Sequence, residues 1–250
     1  MSTYASFQGR VFLGKRELDG HPIEVRSPGN VAELKLSLKT DVLEHYESQT
    51  GQRSLDHRMV KQKSATVQLT IEEFTKENLA LALYGNFVTG STGSVTAEPI
   101  GGAPPVVGDR YFFAHPKVSA VVVTDSAGTP ATLVEGTHYT VDTDFGALQF
   151  LDTTGLTAPF KAAYTYGAAT EIGIFTQALP ERFLRLEGIN TAQGNAKVLV
   201  ELYRVAFDPL KEISFISDEY NKFELEGSLL ADTTKPYDAV LGQFGRIVQL

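Results

Sequence analysis

Strict alternation of apolar and polar residues, recurring at widely separated places, constrains this chain more than any other feature. In Glu33-Leu34-Lys35-Leu36-Ser37-Leu38-Lys39 the leucines fall on every second position. A period of two puts them on one face of an extended strand, whereas a helix would scatter them around its circumference. Thr66-Val67-Gln68-Leu69-Thr70-Ile71-Glu72 repeats the pattern, as do Leu184-Arg185-Leu186-Glu187 and Lys222-Phe223-Glu224-Leu225-Glu226. Val198-Leu199-Val200-Glu201-Leu202-Tyr203 is more uniformly apolar and reads as a central strand covered on both sides. Half-buried antiparallel sheet accounts for all five runs, so the fold class is mainly β.

One helix is marked. Thr75 is an N-cap, Phe74 and Leu79 occupy the two positions of a hydrophobic staple, and Gly85 follows as a C-cap. Leu79, Leu83 and the neighbouring alanines supply an apolar stripe. A short second helix is expected at Asp208-Pro209, because proline suits the first helical position.

Two segments break the alternation. Residues 44–63 are polar, join two alternating strands, and predict a loop longer than a hairpin normally needs. Residues 86–105 are rich in Gly, Ser, Thr and Pro and read as a linker. Beyond it, 120–124, 139–141, 147–151 and 162–166 read as strands, separated by turns at Asp125-Ser126-Ala127-Gly128 and Asp142-Thr143-Asp144-Phe145-Gly146. The expected organisation is a discontinuous β domain, 1–88 with 169–250, interrupted at 89–168 by a small β-sandwich-like module.

Composition narrows the function. The 30 acidic residues exceed the 22 Lys and Arg, for a formal charge of −8. Nucleic-acid affinity comes largely from cations neutralising phosphates, so an acidic chain is a poor candidate for gripping DNA, though not for a surface past which DNA slides. There is no cysteine, hence no disulfide, thiolate metal site or cysteine nucleophile, which suits a reducing cytosol. No apolar run is long enough to span a membrane, and Met1-Ser2-Thr3-Tyr4-Ala5-Ser6 lacks the character of a secretory signal.

Catalytic and cofactor motifs are absent: no Gly-x-Ser-x-Gly elbow, His-Glu-x-x-His, Walker loop or dinucleotide fingerprint. The reading is therefore a protein that is not an enzyme and binds no cofactor. His21, His45, His57, His115 and His138 lack metal-ligand spacing and read as surface or loop residues. Asp142 to Gly146 faintly suggests a calcium loop but lacks a distal Glu, so a hairpin turn is the simpler reading. Glu72-Glu73 and Glu224 with Glu226 have no evident partner and read as a solvated strand face. Arg53, Arg58, Lys61 and Lys63 make 44–63 locally basic. That suits either an arm docking on an acidic face of a neighbour or a solvated loop.

Taken in order, the alternating strand, Val42-Leu43-Glu44-His45-Tyr46, the long polar segment, the second alternating strand and Thr75-Lys76-Glu77-Asn78-Leu79-Ala80-Leu81-Ala82-Leu83-Tyr84-Gly85 resemble the major tail tube proteins of long-tailed (siphovirus-like) bacteriophages. Phe207-Asp208-Pro209-Leu210-Lys211-Glu212-Ile213-Ser214-Phe215-Ile216, followed by Phe223-Glu224-Leu225-Glu226-Gly227 and Leu230-Ala231-Asp232, looks like the C-terminal half of that family. The likeness covers roughly 1–85 and 171–234; the inserted module and the segment from Tyr237 to Leu250 depart from it.

The resemblance implies a β-sandwich or barrel flanked by one helix, shared with type VI secretion tubes. It implies a virion tail component assembled in the host bacterial cytoplasm, with itself as first partner: hexameric rings that stack. Tape measure, tail terminator and distal tail proteins would be further partners, double-stranded DNA would pass through the lumen, and no membrane would be involved. By the same pattern the segment 44–63, with Glu44, Gln52, Arg53, Asp56, Arg58, Lys61 and Lys63, would reach an adjacent subunit. Glu72, Glu224 and Glu226 are candidates to face the lumen, and the inserted module would project outward. Two rivals accompany this reading. One is a type VI-like secretion tube. The other is a carbohydrate- or ligand-binding module using Tyr111, Tyr139, Tyr164 and Tyr166, against which the absence of tryptophan weighs.

Overall fold

The structure is a computed structural model that describes residues 4–101, 105–237 and 241–250. Residues 1–3, 102–104 of the expected linker and 238–240 of the C-terminal segment lie outside the described residues. The chain is mainly β, in several sheets with one short helix. It divides into two compact units, Met1–Asn86 with Ile172–Leu250, and Phe87–Glu171.

The first unit opens with β1 (Phe7–Arg16), β2 (Pro22–Arg26), β3 (Val31–Tyr46), β4 (Leu55–Ile71) and α1 (Lys76–Ala82). Phe87–Glu171 then holds β5 (Phe87–Thr89), β6 (Gly93–Ile100), β7 (Arg110–Phe112), β8 (Val118–Thr124), β9 (Tyr139–Asp142), β10 (Ala147–Phe150) and β11 (Phe160–Tyr166); β12 (Thr170–Ile172) crosses its boundary. The first unit resumes with β13 (Glu181–Asn190), β14 (Ala196–Phe207), β15 (Phe223–Leu229) and β16 (Gly245–Gln249).

One sheet organises the first unit, in the order β2-β1-β13-β14-β15-β4-β3, with β16 also on β14. Since β13 takes one edge of β14, β15 and β16 share the other: 205–207 of β14 pair with β15 and 198–202 with β16. The alternating runs all lie in this sheet. Val67, Leu69 and Ile71 of β4, Phe223 and Leu225 of β15, and Leu184, Leu202, Val205 and Phe207 point into one core that also takes Leu81 and Ala82 of α1. Truncating a fully buried aromatic such as Phe207 to alanine costs about 3–5 kcal/mol in comparable cores.

The helix starts as expected, with Thr75 Oγ1 accepting from Asn78 N at 3.2 Å. Its end and face differ from expectation. Leu83 is the C-cap and Tyr84 takes the left-handed conformation (φ +51°). Gly85 serves close approach instead, because a Cβ there would sit 1.9 Å from Gly173 O. The buried face is Asn78, Leu81 and Ala82, not Leu79 and Leu83. Asn78 can be buried because its amide donates to Pro28 O (2.7 Å) and Glu73 O (2.9 Å). Phe74 meets Phe223 edge-on at 5.1 Å. No helix forms at Asp208-Pro209: Asp208 N donates to Glu226 O and Leu210 N to Ala82 O, which ties that backbone to other elements.

Phe87–Glu171 contains two three-stranded sheets, β7-β10-β9 and β6-β11-β8, and the ribbon β12-β5. Phe150, Leu148 and Tyr139 from one sheet and Phe160, Ala162, Tyr164 and Val123 from the other share a single core. The expected linker is largely strand: β5 and β6 occupy it, and Val95 lies opposite Tyr164 in register. One of its glycines is a packing feature, since a Cβ on Gly93 would run into the Tyr166 ring. The segment 142–146 is a hairpin turn between β9 and β10, with Asp142 Oδ1 accepting from Phe145 N and Gly146 at φ +61°. Asp125 is buried in the other turn. The amide of Ala131, then those of Thr157 and Ala127, hold its carboxyl below the usual range.

Buried charge closes the first unit. Arg16 Nη2 lies 2.7 Å from Asp232 Oδ1, which also accepts from Thr234 N and Oγ1. Burial alone would raise the Asp232 pKa, but the Thr234 hydrogen bonds and Arg16 outweigh it and hold the group below its ordinary value. Among the described residues, removing the Asp232 charge leaves largely buried Arg16 with only the more distant Glu181, at 3.9 Å. Asp232→Asn should cost about 3–5 kcal/mol in urea unfolding, while Arg16→Met with Asp232→Leu should cost clearly less than the single change. An unchanged urea midpoint for Asp232→Asn would show that the pair carries no such weight.

Candidate functional site

β3 and β4 form the longest hairpin of the chain, in register from Val31 opposite Ile71 to Tyr46 opposite Leu55. The expected loop at 44–63 is thus corrected. Glu44 belongs to β3, while Asp56, Arg58, Lys61 and Lys63 belong to β4; only 47–54, with Gln52 and Arg53, is connecting turn. Alternation fails to mark these strands because it reports one-sided burial, and here neither side is buried. A bulge also breaks the period: Asp41 opposes Gln62 and Val42 opposes Val60, leaving Lys61 unpaired in register.

The hairpin has a root and an arm. Thr66 to Ile71 of β4 pair with β3 on one side and β15 on the other. Outward from Ala65, β4 pairs only with β3, giving a two-stranded ribbon of 39–46 and 55–64. Eight residues at a strand's rise make it roughly 25 Å long. Every residue of 55–64 is exposed, and in 39–46 only Val42 is partly covered. Leu38 is 78 % exposed, and Leu43, Tyr46, Leu55, Met59 and Val60 are each about half exposed. Tyr46, Leu55, Met59 and Val60 lie inside the segment read as polar, whereas Leu38 belongs to the alternating run 33–39, whose leucine face was expected to be covered. The adjacent pairs Val42-Leu43 and Met59-Val60 were the available signal.

Charge on the arm is partly spent internally. Arg58 Nε stands 3.5 Å from Glu44, Lys61 3.9 Å from Asp41, and His45 Nδ1 2.6 Å from Asp56. Exposed pairs of this kind contribute little, because water and salt screen them. The hydrogen bond from His45 lowers the Asp56 pKa. Among the described residues, Lys39, Arg53 and Lys63 have no carboxylate within salt-bridge distance. Arg53 sits at the tip with φ +50°.

The acidic candidates lie at the root. Glu224 and Glu226 alternate with buried Phe223 and Leu225, and oppose Thr70 and Gln68 on the polar face of the sheet. Glu226 pairs with Lys211 at 2.5 Å, and Glu33 with Lys35 at 2.8 Å, so this face is mixed in sign. The Glu72 carboxylate accepts from the Asn30 amide.

Elsewhere, the tyrosines singled out for a sugar-binding surface are largely covered. Tyr139 and Tyr164 are each 2 % exposed in the core of their unit, and Tyr111 and Tyr166 are partly buried, Tyr166 stacked on His115 at 3.8 Å. Four tyrosines that read as a platform for a sugar ring do not form one. Among the described residues no group of three or more His, Asp or Glu is placed to hold a metal ion, and no helix is long and apolar enough to cross a membrane.

The tip itself is organised by Glu47. Its carboxylate accepts from the Thr50 hydroxyl and from Gln49 N (2.8 Å) and Thr50 N (3.0 Å), while Glu47 N donates to Ser54 O (2.9 Å). The Thr50 side-chain bond, aided by these amides, lowers its pKa from 4.5 to about 2. A depressed carboxylate stabilises the turn above its unfolded pKa, so order at the tip should persist at neutral pH and fade between about pH 4.5 and 2. An NMR titration should place the Glu47 midpoint near 2, moving together with the Gln49 and Thr50 amides; a midpoint at the ordinary value would refute the capped tip.

No curated protein matches the chain. Residues 4–248 match the model of the family described as "Protein of unknown function UCP028589", and the chain belongs to that family.

Proposed function

We propose that this protein is a structural subunit that assembles with copies of itself through the β3–β4 arm, as a tail-tube-like protein of a bacteriophage. The observation that carries the reading is a two-stranded ribbon with both faces in solvent, holding Leu38, Leu43, Tyr46, Leu55, Met59 and Val60 exposed. An isolated hairpin of this kind is marginal in water, and its register sets Leu43 beside Met59 on one face and Val42 beside Val60 on the other, so apolar side chains that a partner could cover stand on both faces. Docking against a neighbour would cover those side chains and pair the cations Lys39, Arg53 and Lys63.

In the finer form of the proposal, the first unit is the tube-forming β-sandwich or barrel, six copies make a ring, and rings stack into a tube. Tape measure, tail terminator and distal tail proteins would be the other partners, and DNA would pass through the lumen. The net charge of −8 supports an inner wall that does not hold phosphate. The polar face bearing Glu224 and Glu226 is the candidate for it, moderated by Lys35 and Lys211.

The test follows from the register. Lys39 opposes Ser64, so replacing residues 40–63 with an Asn-Gly turn removes the arm and keeps the paired root. The shortened protein should keep the far-UV circular dichroism of a folded β protein and remain monomeric where the full chain forms rings or tubes by negative-stain microscopy. Normal tubes from the shortened chain would defeat the proposal.

A further inference from the structure

The arm needs a receptor, and the register of β4 points to one. β4 is 17 residues long, roughly 55 Å at a strand's rise. Its Leu55 end adjoins the tip, whereas its Ile71 end lies opposite Phe223, the first residue of β15. The segment 208–222 that leads into β15 is therefore at the opposite end of the strand from the tip.

That segment forms neither helix nor strand, yet its start is fixed. Asp208 N donates to Glu226 O, Leu210 N to Ala82 O, and Lys211 pairs with Glu226. Beyond this anchorage the chain presents large apolar side chains to solvent: Phe215 is 79 %, Ile216 97 % and Tyr220 102 % exposed. Between 212 and 221 it carries Glu212, Asp218 and Glu219 and no Lys or Arg. The arm has the converse character, exposed Leu38, Leu43, Met59 and Val60 with the unpartnered cations Lys39, Arg53 and Lys63.

We propose that residues 212–221 are the docking surface for the β3–β4 arm of a second copy of this chain. Phe215, Ile216 and Tyr220 would meet the apolar side chains of the arm, and Glu212, Asp218 and Glu219 its free cations. An arm-to-arm contact would instead set Arg53 and Lys63 against their own kind. Two unlike surfaces at opposite ends of one strand make the contact head-to-tail. Such a contact repeats, closing into a ring or continuing as a filament according to the rotation between copies. The inference rests on the arm-mediated assembly proposed above and adds the partner surface and the polarity of the joint.

The two can be tested apart. Arg53→Glu with Lys63→Glu disables the arm, and Phe215→Ser with Tyr220→Ser disables the loop; all four positions are exposed, and circular dichroism and thermal melting should match the parent. Each variant alone should need a concentration raised by roughly tenfold or more to assemble, measured by sedimentation velocity. Mixed in equal amounts they should form a 1:1 heterodimer that grows no further, because only one intact arm and one intact loop can meet. Asp218→Lys with Glu219→Lys, placed in the same chain as the arm reversals, should restore assembly. Loop variants that assemble like the parent, or a mixture that stays monomeric, would overturn the loop as receptor while leaving the arm in place. Arm variants that assemble like the parent would overturn the arm reading itself.

Discussion

Everything in the first unit depends on the inner third of β4. From Thr66 to Ile71 this strand is hydrogen-bonded on both edges, to β3 and to β15. Val67, Leu69 and Ile71 are sealed on one face, while Gln68 and Thr70 lie on the other. Double pairing with one-sided burial fixes the register, because a slip of one residue would turn the apolar set toward water. The same strand then continues past the core with a single partner. A rooted strand can carry an exposed ribbon that would be marginal by itself, and this root makes the arm a defined object.

Charge is placed with the same economy. Glu201, nearly buried in β14, receives Arg185 from β13 at 3.0 Å and Arg246 from β16 at 2.7 Å. These contacts fasten the C-terminal strand to the centre of the sheet. Glu181 takes Arg204 through two hydrogen bonds, beside the buried Arg16–Asp232 pair. Fork-shaped contacts of this kind orient strands more than they stabilise them. The exposed pairs on the arm are different. They lie in water, are screened by salt, and leave Lys39, Arg53 and Lys63 over. Cations without partners on an otherwise acidic chain are suited to steering an encounter.

How much of this was legible depended on whether a residue's neighbours were close in sequence or brought there by folding. The runs around Leu34, Val67, Leu184, Val198 and Leu225 all lie in strands of the large sheet; around Val67 and Leu225 the alternation reflects one-sided burial, whereas Leu36 and Leu38 alternate in solvent. Thr75 was legible for a local reason, since an N-cap needs only its own following turn. The arm was misread as a loop because its exposed strands carry no alternation to detect. β1, β2, β6, β7 and β16 were missed for related causes: short length, glycines under neighbouring rings, or pairing with a strand distant in the chain. Asn78 is buried because the Pro28 and Glu73 carbonyls accept from its amide, contacts that no helical period announces. The tyrosines failed in the opposite sense, reading as a surface platform when two of them fill a core.

By itself, the sequence determined a mainly β protein without cysteine and the helix that Thr75 caps, while also predicting a second helix at Asp208 that does not form. These are properties of composition and of periods that span a few residues. Tertiary structure alone decided where β4 leaves the core, that its continuation is a ribbon exposed on both faces, and that 208–222 lies at the other end of the same strand. Each of these depends on pairing between segments far apart in the chain: β3 with β4 across a turn, and β15 with β4 across more than 150 residues. A pairing register is a three-dimensional fact, set by which apolar faces can be buried together. No local pattern encodes which strand will lie beside which.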